Sequence, residues 1–201
     1  MMTELIDKTY FQELARQDPL DVCRRALSEY DDTDRCYAVT VWGKQCNIYP
    51  DQARITYVAD GRAPFHPYLD LFIIHYLLRA KEIEPVQEWI SEKDIPGGAT
   101  FFRGPHDIPT NLITDRFGND IDSFNNVCEQ LMGTPLELAD AAFAFTIAPR
   151  VSVAILYWAG DDEFPAESRL LYDRTLAEQF ALDVMYALAV GICERVGRTS
   201  A

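Results

Sequence analysis

Three adjacent carboxylates, Asp161, Asp162 and Glu163, follow the apolar run Val151–Trp158 after only Ala159 and Gly160. A short apolar run of this kind reads as a buried strand. The carboxylates therefore concentrate negative charge at the mouth of a hydrophobic element. Carboxylate oxygens suit a hard divalent cation. Alternatively, one carboxyl shielded by Phe164 or Trp158 would have its pKa raised by burial and like-charged neighbours, as a general acid requires. The spacing is not that of a calcium-binding loop, and a solvated turn is the plain alternative.

A second candidate runs from Trp89 through Ser91, Ile95 and Pro96 to Gly97 and Gly98, and on to Phe101, Phe102, Arg103 and His106. Paired glycines let backbone N–H groups approach a ligand closely. Phe101 and Phe102 with Trp89 and Trp158 would supply apolar walls, Arg103 an anchor for a carboxylate, and His106 a ligand. The stretch lacks the spacing and the Lys-Ser/Thr of a phosphate-binding loop. His75 lies within an apolar helical pattern, beside Leu71, Phe72 and Leu78, where neutral imidazole can serve as an axial ligand to a metal-bearing macrocycle or as a hydrogen-bonded core residue. No H-E-x-x-H, G-x-S-x-G or Cys/His signature accompanies the three histidines.

The elements that must position these groups follow from periodicity. Glu4–Ala15 predicts a short helix, and Asp18-Pro19 an N-cap with proline at the first helical position, opening a helix to about Tyr30. Cys36–Trp42, Gln45–Tyr49 and Arg54–Val58 predict a three-strand meander, turning at Gly43-Lys44 and closing at Asp60-Gly61. Tyr68–Arg79 is a helix apolar on most sides, which must be covered from several directions. Glu88–Asp94 reads as extended and Thr100–His106 as loop. Pro109–Phe117 and Ile121–Met132 are helices, Ala141–Ile147 and Val151–Trp158 a hairpin, and Ser168–Asp173 is ambiguous. One long helix spans Leu176–Val196. Short turns join most strands, so the fold class is α+β: a mostly antiparallel sheet, meander plus hairpin, packed by several helices on one face. Residues 1–201 are expected to form a single domain, with 1–18 as an N-terminal helical extension.

With 32 acidic and 18 basic residues the chain carries a formal net charge of −14. That sign disfavours nucleic acid and anionic membrane surfaces as partners. The apolar run Phe180–Cys193 falls short of the roughly 20 residues a membrane span needs, and the N-terminus lacks the apolar core of a secretory signal. Five cysteines, odd in number and without a C-x-x-C pair, argue for reduced thiols and a cytoplasmic location.

The segments Leu71–Leu78, Trp89–Gly98, Asp140–Phe143, Tyr157–Pro165 and Leu170–Asp173 together resemble an uncharacterised family, a domain of unknown function of anaerobic bacteria and archaea, from about Leu20 to Val196. The resemblance implies relatives fused to an iron–sulfur domain and a setting in anaerobic one-carbon or corrinoid metabolism. It brings no catalytic residues. The expectation is a small-molecule or cofactor-binding accessory protein with a tetrapyrrole, a corrinoid or a divalent cation as candidate cofactor. Its Gly-Gly and acidic loops would line one pocket near His75. The alternatives are a transferase or hydrolase working through Asp161–Glu163, and a scaffold docking on a larger anaerobic enzyme.

Overall fold

The computed structural model describes residues 6–58 and 64–198. Its architecture is α+β, with two antiparallel sheets and helices on one face of each. The predicted turn at Asp60-Gly61 lies outside the described residues, as does the start of the predicted first helix.

Helix α1 (Lys8–Ala15) buries Phe11 and Leu14. Helix α2 (Pro19–Ala26) opens as its sequence dictates: the Asp18 carboxylate accepts from the Leu20 N–H at 3.0 Å and so occupies one of the N–H groups a helix start leaves unpaired. The helix stops at Ala26, short of Tyr30. Leu27 takes a left-handed conformation (φ 48°), and Glu29–Asp31 becomes strand β1, paired with Cys36–Ala38. Pairing Tyr30 against Tyr37, with ring centroids 4.7 Å apart, wins over the helical continuation.

Strands β2 (Cys36–Val41), β3 (Lys44–Tyr49) and β4 (Arg54–Tyr57) complete the first sheet in sequential order. Its turn is one residue earlier than the sequence suggests. Trp42 and Gly43 are the central residues, both at positive φ (45° and 67°), the arrangement that matches strand twist in a two-residue hairpin. The reason lies across the molecule. The Trp42 backbone N–H donates to Ile147 O at 2.8 Å and its indole N–H to Leu131 O at 2.9 Å.

Helix α3 (Pro67–Arg79) is buried along both flanks through Leu69, Phe72, Ile73, Ile74, Tyr76 and Leu77. Helix α8 (Leu182–Arg198) lies against it, and Gly191 presents no side chain where Leu69 presses on α8; a Cβ there would sit 3.0 Å from Leu69 Cβ. The expected single C-terminal helix is two: α7 (Leu176–Gln179) ends at Phe180, whose backbone is extended (φ −126°) so that its ring meets Phe72 at 5.7 Å and Tyr76 at 6.4 Å.

The second sheet has the order β5-β9-β8-β7-β6, with β5 (Trp89–Ile90), β6 (Thr134–Pro135), β7 (Ala141–Ala148), β8 (Val151–Trp158) and β9 (Glu167–Asp173). The ambiguous segment 168–173 is thus an inner strand. The β7–β8 ladder shifts register between Thr146 and Ala148. This irregularity leaves the Ile147 carbonyl for Trp42, a common use of a bulge. Between the sheets and their strands run α4 (Gly98–Phe101), α5 (Asn111–Phe117) and α6 (Ile121–Gln130). Val153, Ile155 and Tyr157 of β8 enter the main core, while Ala154 and Leu156 form a small cluster on the outer face with Trp89, Trp158 and Leu171.

Among the buried polar groups, Asp70 is 8% exposed and its Oδ1 has no partner. Burial raises its pKa from 3.8 to about 7. The folded state therefore holds a proton that the unfolded chain gives up near pH 4. Stability present below that pH is lost as pH rises to about 7, a fall on the order of 4 kcal/mol. Asp70→Asn is expected to flatten this pH dependence and to raise the Tm at pH 8 by up to about 8–16 °C, which thermal unfolding at pH 4 to 8 would check. An unchanged slope would assign the effect elsewhere.

Candidate functional site

Strand β9 pairs with β8 from Glu167 to Tyr172, but with β5 only at Tyr172 and Asp173. Past Ile90 the chain leaves the sheet. The Ser91 N–H and hydroxyl both donate to Asp94 Oδ2, at 2.9 and 2.6 Å, closing a tight turn in place of further strand. The vacated edge of β9 opens into a groove of about 630 Å3. Residues 91–93 bound one wall, Phe102, Asp107, Ile108 and Thr110 the other, and Leu156, Trp158 and residues 167–171 the floor and outer rim.

Buried carboxylate chemistry holds this edge in place. Asp173 is 0% exposed. One oxygen accepts from the Gln87 N–H at 2.6 Å; the other accepts from the Thr175 N–H at 3.1 Å and hydroxyl at 2.6 Å. The Arg174 N–H donates to Glu88 O at 2.9 Å. The segment before β5 is thereby tied to the end of β9. Gly98 then folds the loop back tightly, its N–H donating to Ile95 O at 2.8 Å. A Cβ at Gly98 would stand 1.9 Å from the Glu92 carbonyl oxygen.

The groove is amphipathic. Trp158 is half-buried, with the Arg169 guanidinium 5.4 Å from its ring centroid, and Arg169 also pairs with Glu167 at 2.6 Å. Phe102 and Leu156 are buried, and Ile108 is half-buried. Ser168 is 5% exposed, and its hydroxyl has no hydrogen-bond partner. A buried hydroxyl without a partner is costly unless something else satisfies it.

Of the residues singled out from sequence, Trp158 and Phe102 meet in this groove, and Trp89 shares the outer-face cluster with Trp158. Gly97 (φ 79°) and Gly98 shape the loop through tight packing. The rest lie elsewhere. Phe101 stacks on His106, ring centroids 4.4 Å apart, and His106 meets Tyr186 edge-on at 5.3 Å. Arg103 is exposed. His75 packs edge-on against Tyr10 at 4.4 Å, and burial holds its imidazole below the ordinary value. No histidine lines the groove, so a tetrapyrrole or corrinoid seated there would find no imidazole for its metal.

Nor does the acidic loop reach the groove. Asp161 Oδ1 accepts from the Glu163 and Phe164 N–H groups at 2.8 and 2.7 Å, closing its own turn. These bonds, Phe164's first, hold its carboxyl below the usual range, which suits an ionised turn residue and not a general acid. Asp162 and Glu163 are exposed. Among the described residues no three His, Cys, Asp or Glu side chains converge to hold a metal ion. None of the five cysteines is in a disulfide, and burial raises the Cys128 and Cys193 thiols well above their ordinary value.

Ser91 and Lys93 lie within the candidate stretch Trp89–Gly98, whereas the sequence reading does not single out Ile108, Ser168 or Arg169. For Ser168 and Arg169 a signal existed, since burial alternates through Ser168, Leu170 and Tyr172 as polarity nearly does. For Ile108 there was none, because a single apolar residue between Asp107 and Pro109 marks no element.

Because the Glu92 carbonyl cannot retreat without moving the groove wall, Gly98→Ala is expected to cost about 1–3 kcal/mol. It should also broaden the amide resonances of Ser91–Lys93, measured by denaturant unfolding and heteronuclear NMR. A wild-type spectrum would show that the loop yields elsewhere.

Comparison with curated proteins and with solved structures finds no match. Among the described residues no helix is long and apolar enough to cross a membrane. A protein family described as Domain of unknown function (DUF3786) matches residues 18–195, so nearly the whole fold and every groove residue fall within it, and the chain belongs to that family.

Proposed function

We propose that this protein binds a small amphipathic molecule in the groove along β9, as an accessory protein and not as a catalyst. The observation that carries the reading is that the groove wraps the end of the β8–β9 sheet, with the unpartnered, buried Ser168 hydroxyl on its core side and the half-buried Trp158 ring on its outer side. One is a polar group in need of a partner, the other an apolar surface in need of cover. A groove of about 630 Å3 is within the range of small-molecule sites, roughly 300–1,000 Å3, and such sites combine apolar walls with a few placed polar groups. The ligand's flat apolar part would lie on Trp158 and Leu156, with its polar part toward Ser168 and Lys93. A corrinoid or tetrapyrrole would be held by ring packing alone. Service to a larger enzyme of anaerobic metabolism, in the cytoplasm, belongs to the same proposal; its support is the family resemblance and the buried thiols.

The test is purification without oxygen, an ultraviolet–visible spectrum, and mass spectrometry of what denaturation releases. Wild-type protein should release one recurrent small molecule. Trp158→Ala, with an unchanged far-ultraviolet circular dichroism spectrum, should retain about tenfold less or lower, the loss expected for one stacking contact of about 1–1.5 kcal/mol. Equal amounts from both proteins, or nothing from either in a host that makes the molecule, would sink the reading.

Asp161→Asn with Asp162→Asn separates this proposal from the hydrolase or transferase alternative. The double variant should keep the bound molecule and lose only local order at residues 159–166. Loss of the molecule together with a stoichiometric divalent ion would return the acidic loop to the site.

A further inference from the structure

The charges that line the groove divide into a neutralised pair and a free set. Arg169 lies over Trp158 and pairs with Glu167, so neither has its charge to offer a ligand. Glu92 and Lys93 are different. Both line the groove, and among the described residues neither side chain makes an ion pair or a hydrogen bond. Adjacent in the chain, they do not neutralise one another. Glu92 is half-buried, and a charge partly withdrawn from water is costly without a partner. Burial first, then Cys193 and Glu92, raise the Tyr172 hydroxyl well above its ordinary pKa. The Glu92 carboxylate therefore lies toward the core side of the β9 edge. Asp107, on the opposite wall, adds a second carboxylate outside any ion pair.

These free charges select the ligand's own. A plain anion would meet Lys93 but face two carboxylates, in a chain of net charge −14. A plain cation would meet Glu92 but face the Lys93 ammonium. A neutral molecule with a cation and an anion close together satisfies both.

The main chain beside Glu92 and Lys93 asks for the same pattern. In an antiparallel pair, alternate residues turn both N–H and C=O to one side. The Arg174 N–H donates to Glu88 O, and Tyr172 meets Ile90. By alternation Leu170 and Ser168 face that side too, past the end of β5, where both line the groove. Each offers a donor and an acceptor side by side, matching a carboxylate and an ammonium group joined through one carbon.

Resting on the reading of the groove as a small-molecule site, we propose that its ligand is a free aromatic α-amino acid. The ammonium group would donate to Glu92 and the carboxylate accept from Lys93. Leu170 and Ser168 would add main-chain hydrogen bonds, and the Ser168 hydroxyl one more. The aromatic ring is the flat apolar part that lies on Trp158 and Leu156.

The probes are L-tryptophan and L-phenylalanine, titrated into the 15N-labelled full chain. The amide resonances of Ser168 and Leu170 and the indole resonance of Trp158 should shift saturably together. Tryptamine lacks the carboxylate, and 3-indolepropionate lacks the ammonium group. Each should bind about tenfold more weakly than tryptophan, the scale of one lost charged hydrogen bond. Two variants assign the two halves. In Lys93→Met, tryptophan and tryptamine should bind equally; in Glu92→Gln, tryptophan and 3-indolepropionate should. Either analogue binding the wild type as tightly as tryptophan would overturn the amino-acid assignment and leave the groove as a site for amphipathic molecules. An unchanged preference in both variants would overturn the roles of Glu92 and Lys93. No shift from either amino acid would overturn the ligand class, and the molecule released on denaturation would then decide the groove reading by itself.

Discussion

An α-helix that is apolar on nearly every side has no face to leave against water, and α3 is such a helix. Covering it organises the chain. Helix α8 takes one flank at the small surface of Gly191, while α1 and α2 pack at others. The break at Phe180 delivers one more ring onto Phe72 and Tyr76. The Tyr76 hydroxyl, buried with the helix, donates to Ala26 O at 2.9 Å and accepts from the Arg150 N–H at 3.2 Å. A single phenol thus joins the C-terminal end of α2 to the turn between β7 and β8. Arg150, also buried, donates to Arg25 O at 2.7 Å and pairs with Glu84. Burial of apolar surface sets the arrangement, and the few polar groups carried inside with it find partners that lock its parts together.

The two sheets are held to one another in the same way. Their contact is a shared need: a bulged β7 has a carbonyl to satisfy, and a tight β2–β3 turn has the Trp42 N–H to place. Packing of Trp42 on Phe145, centroids 5.3 Å apart, adds apolar contact to the hydrogen bond. The displaced hairpin turn and the register shift in β7–β8 are therefore two sides of one contact.

The groove exists because β5 is only two residues long. Asp173 fastens the segment before β5 to the sheet, and Asp94 pulls the segment after it away. A longer β5 would cover Leu170 and Ser168 and leave no cavity. Local turn chemistry at Ser91–Asp94 and Gly98 thus sets the volume of a site whose floor belongs to strands some seventy residues later in the chain.

Much of this was legible from residue order. The Asp18-Pro19 cap, the all-apolar α3, the β7–β8 hairpin and the one-sided burial of Tyr37, Val39 and Val41 each follow from side chains that act on their own element. Periodicity and capping are local, so the sequence by itself determined the fold class and which face of each element is apolar. Trp158 and Phe102 were marked as site residues because aromatic side chains near a loop are conspicuous in type. What the sequence could not determine was which elements end beside one another. Asp161–Glu163 and His75 have the chemistry of ligands, but three-dimensional placement spends Asp161 on its own turn and His75 on Tyr10. Ser168 looks unremarkable in sequence and becomes the polar floor of the groove. The end of α2 at Ala26, the break at Phe180 and the shift of the turn to Trp42-Gly43 were decided by contacts with distant residues. The tertiary structure alone fixed these because a hydrogen bond or ring contact between residues far apart in the chain leaves no periodic trace in either segment.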